Sequence, residues 1–397
     1  MNIIRANIRQ FGMIIALVVI AILFQALTGG MLFRPLNIAN LITQNGYILI
    51  LAVGMMFVIL TGRIDLSVGT HLAFASALSG VLMVSWGWPV WVAVPAILLL
   101  GALFGAWHGF WIAYQNIPFF VVTLAGMLIF RGLTMFALRD GTIVNFPDSF
   151  HNFAAGFIPD FVGGSGLNIT AILIAAIVSV IFIFLEFRKR IVSSKYGDED
   201  ISMLFFIIKL VLIVATINLF GYWFAQSRGV PNIMILLAAS IIVYNFIANK
   251  TVMGRHVYAT GGNEKAAVLN GLKTKRVVFW VYVNMGMLAA LAGMVFASRL
   301  NAASPRAEAG FELQAIAACF IGGASPSGGV GKITGAIIGA MVMGILSNGL
   351  GHMGLGADIQ LAITGLVVLA AVTFDVFTRT KVSKGERVKS AKETAAK

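Results

Sequence analysis

Apolar residues along this chain come in long unbroken runs, separated by short polar or glycine-rich interruptions. The runs lie near residues 11–27, 38–60, 70–86, 90–113, 119–138, 169–187, 204–224, 232–249, 277–298, 311–321, 333–350 and 358–377. Inside them the apolar residues are continuous rather than alternating, and most runs are too long for barrel strands. A helix needs about 20 apolar residues to cross hydrocarbon. From Leu66 to Phe130 there is no Asp, Glu, Lys or Arg, and the only side chains that titrate near neutral pH are His71 and His108. That stretch alone has room for two or three crossings. Helices are then the remaining way to satisfy the backbone in lipid. The pattern predicts an all-α integral membrane protein with about ten transmembrane helices, within eight to twelve, because several runs are short enough to be half-spans.

Composition agrees. Of 397 residues, 59% are hydrophobic and 11% charged, and the mean hydropathy is +0.94. A soluble domain carries roughly a quarter charged residues. A net charge of +13 would suggest nucleic acid as a partner of a soluble protein. Here the positive residues sit at the ends of apolar runs, where they set topology, so the expected partner is the lipid bilayer and not nucleic acid. Arg188-Lys189-Arg190, the stretch Arg255 to Arg276 and the tail from Arg379 to Lys397 join Arg5 and Arg9 in marking the cytoplasmic side. Residues 1–10 and 379–397 are therefore cytoplasmic termini, 188–203 and 250–276 cytoplasmic loops, and the number of crossings even. Residues 139–168 become an external loop, with Asp140, Asp148 and Asp160 and no Lys or Arg after Arg139. No segment is large enough for a separate soluble domain, so residues 1–397 read as one membrane domain. The first run has the flanks of a signal peptide, but it is long and its small-residue cleavage pattern is poor, so it reads as an uncleaved span. A single cysteine, Cys319, excludes an intramolecular disulfide.

Two interruptions stand out. GRIDLSVG at 62–69 and GGASPSGGVG at 322–331 each separate two apolar runs, and the second holds five glycines and a proline. No regular helix survives that composition. Each is either a tight loop at the membrane surface or an unwound stretch between half-helices. Both contain Ser and end in Val-Gly before a small-residue helix. Paired interruptions in corresponding halves point to a translocation path. "GGVGKIT" at 328–334 has the look of a phosphate loop, but Pro326 stands where the first glycine belongs and Ile333 where a Mg²⁺-binding hydroxyl belongs. The chain is therefore expected to bind no nucleotide and no other cofactor, and not to be an enzyme. Gly101, Gly105, Gly109, Gly335 and Gly339 recur at helical spacing and read as close helix packing. Asp65 is the main intramembrane carboxylate, with Arg63 placed to neutralise it. So few ionisable groups argue against coupling to an ion gradient. Candidates for the path are Asn45, Asp65, Ser67, Thr123, Asn284, Gly328 and Gly329; taken singly, Asn45, Ser67, Thr123 and Asn284 read first as helix–helix hydrogen bonds.

Residues 254–276, GRHVYATGGNEKAAVLNGLKTKR, hold a different element. Gly261-Gly262 reads as a break, Asn263 as an N-cap, and Glu264 suits the positive end of a helix. Lys265 to Asn270 make under two turns, and Gly271 can end them in left-handed geometry. This predicts a short helix in a basic loop, either a docking knob or a capped helix without a partner.

The run ATGGNEKAAVLNGL resembles the coupling-loop signature of permease subunits of ribose/xylose-type sugar importers of the ATP-binding-cassette class. TGRIDLSVG, IPFFVVTLAGMLIFRGL at 117–133 and IAACFIGGASPSGGVGKITGAIIGA at 316–340 resemble the same family in the same order. The resemblance covers roughly 35–375. The longer stretch near 188–230 is most like the xylose and multiple-monosaccharide permeases, and residues 299–301 with GFELQAIAACFIGGAS favour the latter group. The resemblance implies a membrane subunit working as a pair, expected to be a homodimer, in a bacterial inner membrane. ATP would be hydrolysed by separate cytoplasmic subunits, and a periplasmic sugar-binding protein would deliver xylose, glucose, galactose or arabinose. It implies that Gly261, Gly262, Asn263, Glu264, Ala266, Ala267 and Gly271 dock in the ATPase. The loop 139–168, Arg34, Arg299 and Arg306 are candidates for docking the binding protein. The alternatives are an ATP-independent secondary carrier or facilitator of a small polar solute, and a lipid-modifying enzyme. The enzyme would need converging chemistry from the scattered His71, His108, His151, His256 and His352.

Overall fold

The computed structural model describes residues 2–373 apart from 140, 164–165, 196–201, 306–309, 357, 368 and 371–372. The basic tail 379–397, Asp140, Arg306 and the middle of the 188–203 loop lie outside the described residues. The helices are α1 (Asn2–Leu27), α2 (Pro35–Leu60), α3 (Val68–Gly80), α4 (Val90–Ala113), α5 (Phe119–Ala137), α6 (Asp148–Ala154), α7 (Ile169–Lys195), α8 (Met203–Ala225), α9 (Ile233–Lys250), α10 (Val252–Gly262), α11 (Glu264–Leu269), α12 (Thr274–Leu300), α13 (Phe311–Ile321) and α14 (Ile333–His352). Two short strands, β1 (Ile143–Val144) and β2 (Ala302–Ala303), pair antiparallel. Among the described residues nine helices are long and apolar enough to cross a membrane: α2, α3 with its π-helical extension Val81–Ser85, α4, α5, α7, α8, α9, α12 and α14. The apolar part of α1 (Gly12–Leu27), α13, and a last helix, Asp358–Val367, are shorter. The chain is an all-α multi-pass membrane protein.

Hydropathy alone does not say which helix is central. The apolar stretch of α2 is 83% buried, whereas that of α8, which is more apolar, is 6% buried. Helix α12 is the post of the bundle: α4, α3 and α2 pack along it, while α7 and α8 form a hairpin at the periphery. The glycine stripe of α4 explains the closest of these contacts. A Cβ at Gly105 would lie 2.2 Å from Tyr282 O, one at Gly101 2.7 Å from Gly286 O, and one at Gly109 2.9 Å from Phe279 O. The two backbones touch, as small residues permit in lipid. Gly335 and Gly339 of α14 do the same against Gly322 O and Ala318 O of the α13 end, at 2.2 and 1.9 Å.

Helix α12 has 27 residues, so its ends are about 40 Å apart. At its first end lie α10 and α11. At its last end lie the strands and α6, which hold the 139–168 segment down. Ser298 Oγ donates to Phe150 O at 2.7 Å and accepts from Ala154 N at 3.1 Å, and Asn301 Oδ1 accepts from Phe146 N at 2.9 Å.

The two interruptions are irregular stretches between helices, residues 61–67 between α2 and α3 and 322–332 between α13 and α14. Helix α3 begins beside the start of α13, where a Cβ on Gly69 would meet Glu312. It then runs away from α11, and Gly80 reaches Ile143 and Ala303. Helix α13 runs the other way. So α3 leads toward the paired strands while α13 leads back toward the end of α2, each joined to its neighbour by an irregular segment.

Candidate functional site

The coupling segment is built from local capping rules. Asn263 takes an extended conformation (φ −160°, ψ 96°) between α10 and α11, and its Oδ1 accepts from Ala266 N at 3.0 Å. That satisfies one of the open amides at a helix start. Gly271, at φ +80°, turns the chain out of the helix, and Leu272 N bonds back to Ala267 O at 3.0 Å. Gly261 and Gly262 do not break α10, which runs through both. Gly261 is needed for contact: a Cβ there would fall 1.7 Å from Leu60 O. The break comes one residue later, at Asn263, because the asparagine side chain competes for the backbone.

Around Gly261 three chain segments meet. Gly329 N donates to Leu60 O at 2.9 Å. A Cβ on Gly328 would lie 2.7 Å from Gly62 N and 3.0 Å from Gly261 O, and one on Gly329 2.7 Å from Gly262 Cα. Tyr258 of α10 donates its hydroxyl to Gly331 O at 2.8 Å. The end of α2, the 322–331 segment and α10 thus form one backbone-to-backbone joint. Glu264 adds an ion pair with Arg63 at 3.1 Å. Arg63 also donates to Thr61 O at 2.8 Å, so it faces α11 rather than neutralising Asp65. Asp65 is held instead by Ser67, accepting from its amide at 2.9 Å and from its hydroxyl at 2.6 Å.

Helices α10, α11 and α12 enclose a surface groove of about 780 Å³ lined by residues including Met253, His256, Asn263, Ala266, Arg276 and Trp280. Beside it Leu269, the last residue of α11, is 89% exposed, and Val268 is 53% exposed. Neither is legible in the sequence, because a hydrophobic residue in a six-residue helix carries no signal until its exposure is known. Ala267, by contrast, is buried.

The path candidates do not converge. Gly328 and Gly329 belong to the joint. Asp65 and Ser67 lie buried in the first interruption, near His71 and His108. Thr123 is buried in α5, its hydroxyl 3.4 Å from Phe120 O. Asn284 accepts the hydroxyl of Tyr244, tying α12 to α9. Asn45 opens onto a polar cavity near the far end of α2. Arg299 lines that same cavity, and Arg34 precedes α2 at that end. Among the described residues no group of three or more His, Cys, Asp or Glu side chains is arranged to hold a metal.

The fold thus defines a class: a multi-pass helical membrane protein whose interrupted helices are tied to one short surface helix. The chain belongs to the family described as the permease component of the branched-chain amino acid transport system, whose profile matches residues 37–372. It is 36% identical over 376 residues to the xylose transport system permease protein XylH of Escherichia coli (strain K12), covering 94% of this chain and 93% of that one. It is 35% identical to the xylose permease protein of Haemophilus influenzae over 379 residues, 95% and 98% of the two chains. It is 34% identical to the ribose import permease protein RbsC of Bacillus subtilis (strain 168) over 367 residues, 92% of each. No solved structure matches the chain.

Proposed function

We propose that this chain is the membrane subunit of an ATP-driven monosaccharide importer in a bacterial inner membrane, with both termini cytoplasmic. The observation that carries the reading is the joint at Gly261. A capped surface helix presents an exposed leucine outward, while its support is fastened to the ends of both interrupted segments. Force applied at α11 reaches α2 through Leu60 O and the α13–α14 connection through Gly329, with no side chain between to absorb it. That is the construction a transporter needs when its energy source is another polypeptide. The resemblance in sequence to xylose and ribose permeases supports the same reading.

In this mechanism two copies of the chain form the pathway and separate subunits bind and hydrolyse ATP. Closure of those subunits moves α10 and α11, the joint transmits the movement, and the paired bundles open toward a periplasmic sugar-binding protein. The chain itself needs no cofactor. Tight coupling uses the short range of packed backbones, which shift between discrete arrangements rather than deforming smoothly.

The test is ATP-dependent uptake of labelled xylose into vesicles holding the chain, its ATPase and its binding protein, with Leu269→Asp as the variant. An exposed leucine contributes little to folding, within about 0.5 kcal/mol. Leu269→Asp should keep its thermal midpoint and lose both ATPase co-purification and uptake. Uptake by the wild-type chain alone, indifferent to ATP, would replace this reading with a facilitator.

A further inference from the structure

Asn37, Asn40 and Gln44 occupy i, i+3 and i+7 on α2, and Tyr47 continues the line. One face of a membrane helix therefore carries three amides in a row. Polar side chains on a membrane helix are unfavourable unless they are paired or face a cavity. Asn37 is paired. Its amide exchanges hydrogen bonds with that of Asn348 on α14, at 3.0 and 3.1 Å, and its Oδ1 lies 2.9 Å from His352 Nε2. Asn40 and Gln44 make no side-chain hydrogen bond to another described residue, and both face a cavity between α2, α12 and α14.

That cavity holds about 390 Å³, within the range of roughly 300–1,000 Å³ typical of small-ligand pockets. Asn45 donates Nδ2 to Leu41 O at 2.8 Å, leaving its oxygen open. Arg299 enters from the end of α12 with Nη1 3.4 Å from Gln44 O, and it has no carboxylate partner among the described residues. Ser347 adds a hydroxyl from α14. The buried ring of Tyr47 is fixed edge-on to Phe296 and Phe311, with centroids 5.0 and 4.9 Å away. Asn45 precedes Leu60 by fifteen residues on one helix, which sets it about 22 Å from the Gly261 joint. The cavity therefore lies toward the end of the bundle opposite α11.

We propose that this cavity is the site where a neutral polyol the size of a pentose or hexose first rests inside the membrane domain. Asn40, Gln44, Asn45, Ser347 and Arg299 meet the sugar hydroxyls with both donors and acceptors, as vicinal diols require, and the Tyr47 ring backs them. The lining argues against a branched apolar amino acid, because its described residues offer no aliphatic side chain and no carboxylate to receive an ammonium group. The inference rests on the sugar-importer reading and adds to it a place and a chemistry for the substrate.

The experiment measures xylose moved per ATP hydrolysed in vesicles holding the whole transporter, with the Asn40→Leu/Gln44→Leu double variant. Losing two hydrogen bonds to the sugar predicts a fall of roughly tenfold or more in xylose per ATP. The ATPase rate and its stimulation by the sugar-loaded binding protein should stay within about twofold, because the joint and α11 are untouched. Gln44→Asn, which keeps an amide, should restore most of the ratio. An unchanged ratio in the double variant overturns the proposal. So does a parallel loss of ATPase stimulation, which would make the stripe structural, and so does efficient uptake of leucine in place of xylose. Failure of the sugar-importer reading shows separately, as wild-type uptake without ATP.

Discussion

Gly261 and Gly262 are adjacent, chemically identical and both inside α10, yet they should respond oppositely to alanine. A methyl at Gly262 meets nothing within 4 Å. There the only effect is the better helix propensity of alanine, at most about 1 kcal/mol stabilising. A methyl at Gly261 would sit 1.7 Å from Leu60 O and 2.7 Å from Gly329 N. The obstructing atoms are backbone, so they cannot rotate aside. To restore ordinary contact at about 3.4 Å, α10 and the end of α2 must separate by well over 1 Å. Overpacking of that kind costs about 1–3 kcal/mol. The Leu60–Gly329 hydrogen bond, worth about 1 kcal/mol, is strained by the same shift. The sum outweighs the propensity gain, and Gly261→Ala should be destabilised by about 1–3 kcal/mol. Its uptake per ATP should fall further than its stability alone explains, since the displaced contact is the link itself. The assays are the thermal midpoint in detergent and xylose moved per ATP in vesicles. Gly261→Ala matching wild type in both, or Gly262→Ala matching the damage at Gly261, would refute the joint.

The same geometric logic applies between α4 and α12: Gly105→Val, with Tyr282 O only 2.2 Å from the new Cβ, should lose at least about 1–3 kcal/mol, while Gly132→Val on α5, with nothing within 4 Å, should insert and unfold like wild type in a detergent melt. Asp160 heads α7: desolvation raises its carboxyl pKa, but the Thr170 hydroxyl and the amides of Ile169, Thr170 and Val162 outweigh that and hold it below the ordinary 3.8. Its stabilising effect is therefore present above the ordinary value and lost as pH falls through the lowered one. Asp160→Asn should flatten the acid limb of a thermal-midpoint profile, and an unchanged limb would refute that assignment.

Much of this protein was legible in its sequence because lipid imposes a one-dimensional rule. Each crossing must be a long apolar helix, so the runs mark α2 to α5, α7 to α9, α12 and α14 directly. Capping chemistry is equally local, and Asn263 and Gly271 bound α11 where their side chain and backbone preference require. The amide stripe of Asn37, Asn40 and Gln44 is also visible at helical spacing, but spacing alone does not separate a lined cavity from a set of helix–helix hydrogen bonds. What faces those amides depends on α14 and α12, more than 250 residues away in the chain. The tertiary structure alone decided that Gly261 is a contact rather than a break, since its partner Leu60 lies 201 residues earlier. It also decided that Arg63 turns to Glu264 instead of Asp65, that Leu269 is left bare, and that two glycine-broken segments close on one point. Hydrophobic pattern fixes which segments enter the membrane, because every residue meets the same lipid. It does not fix which backbones touch, because that depends on missing side chains brought face to face by the whole fold.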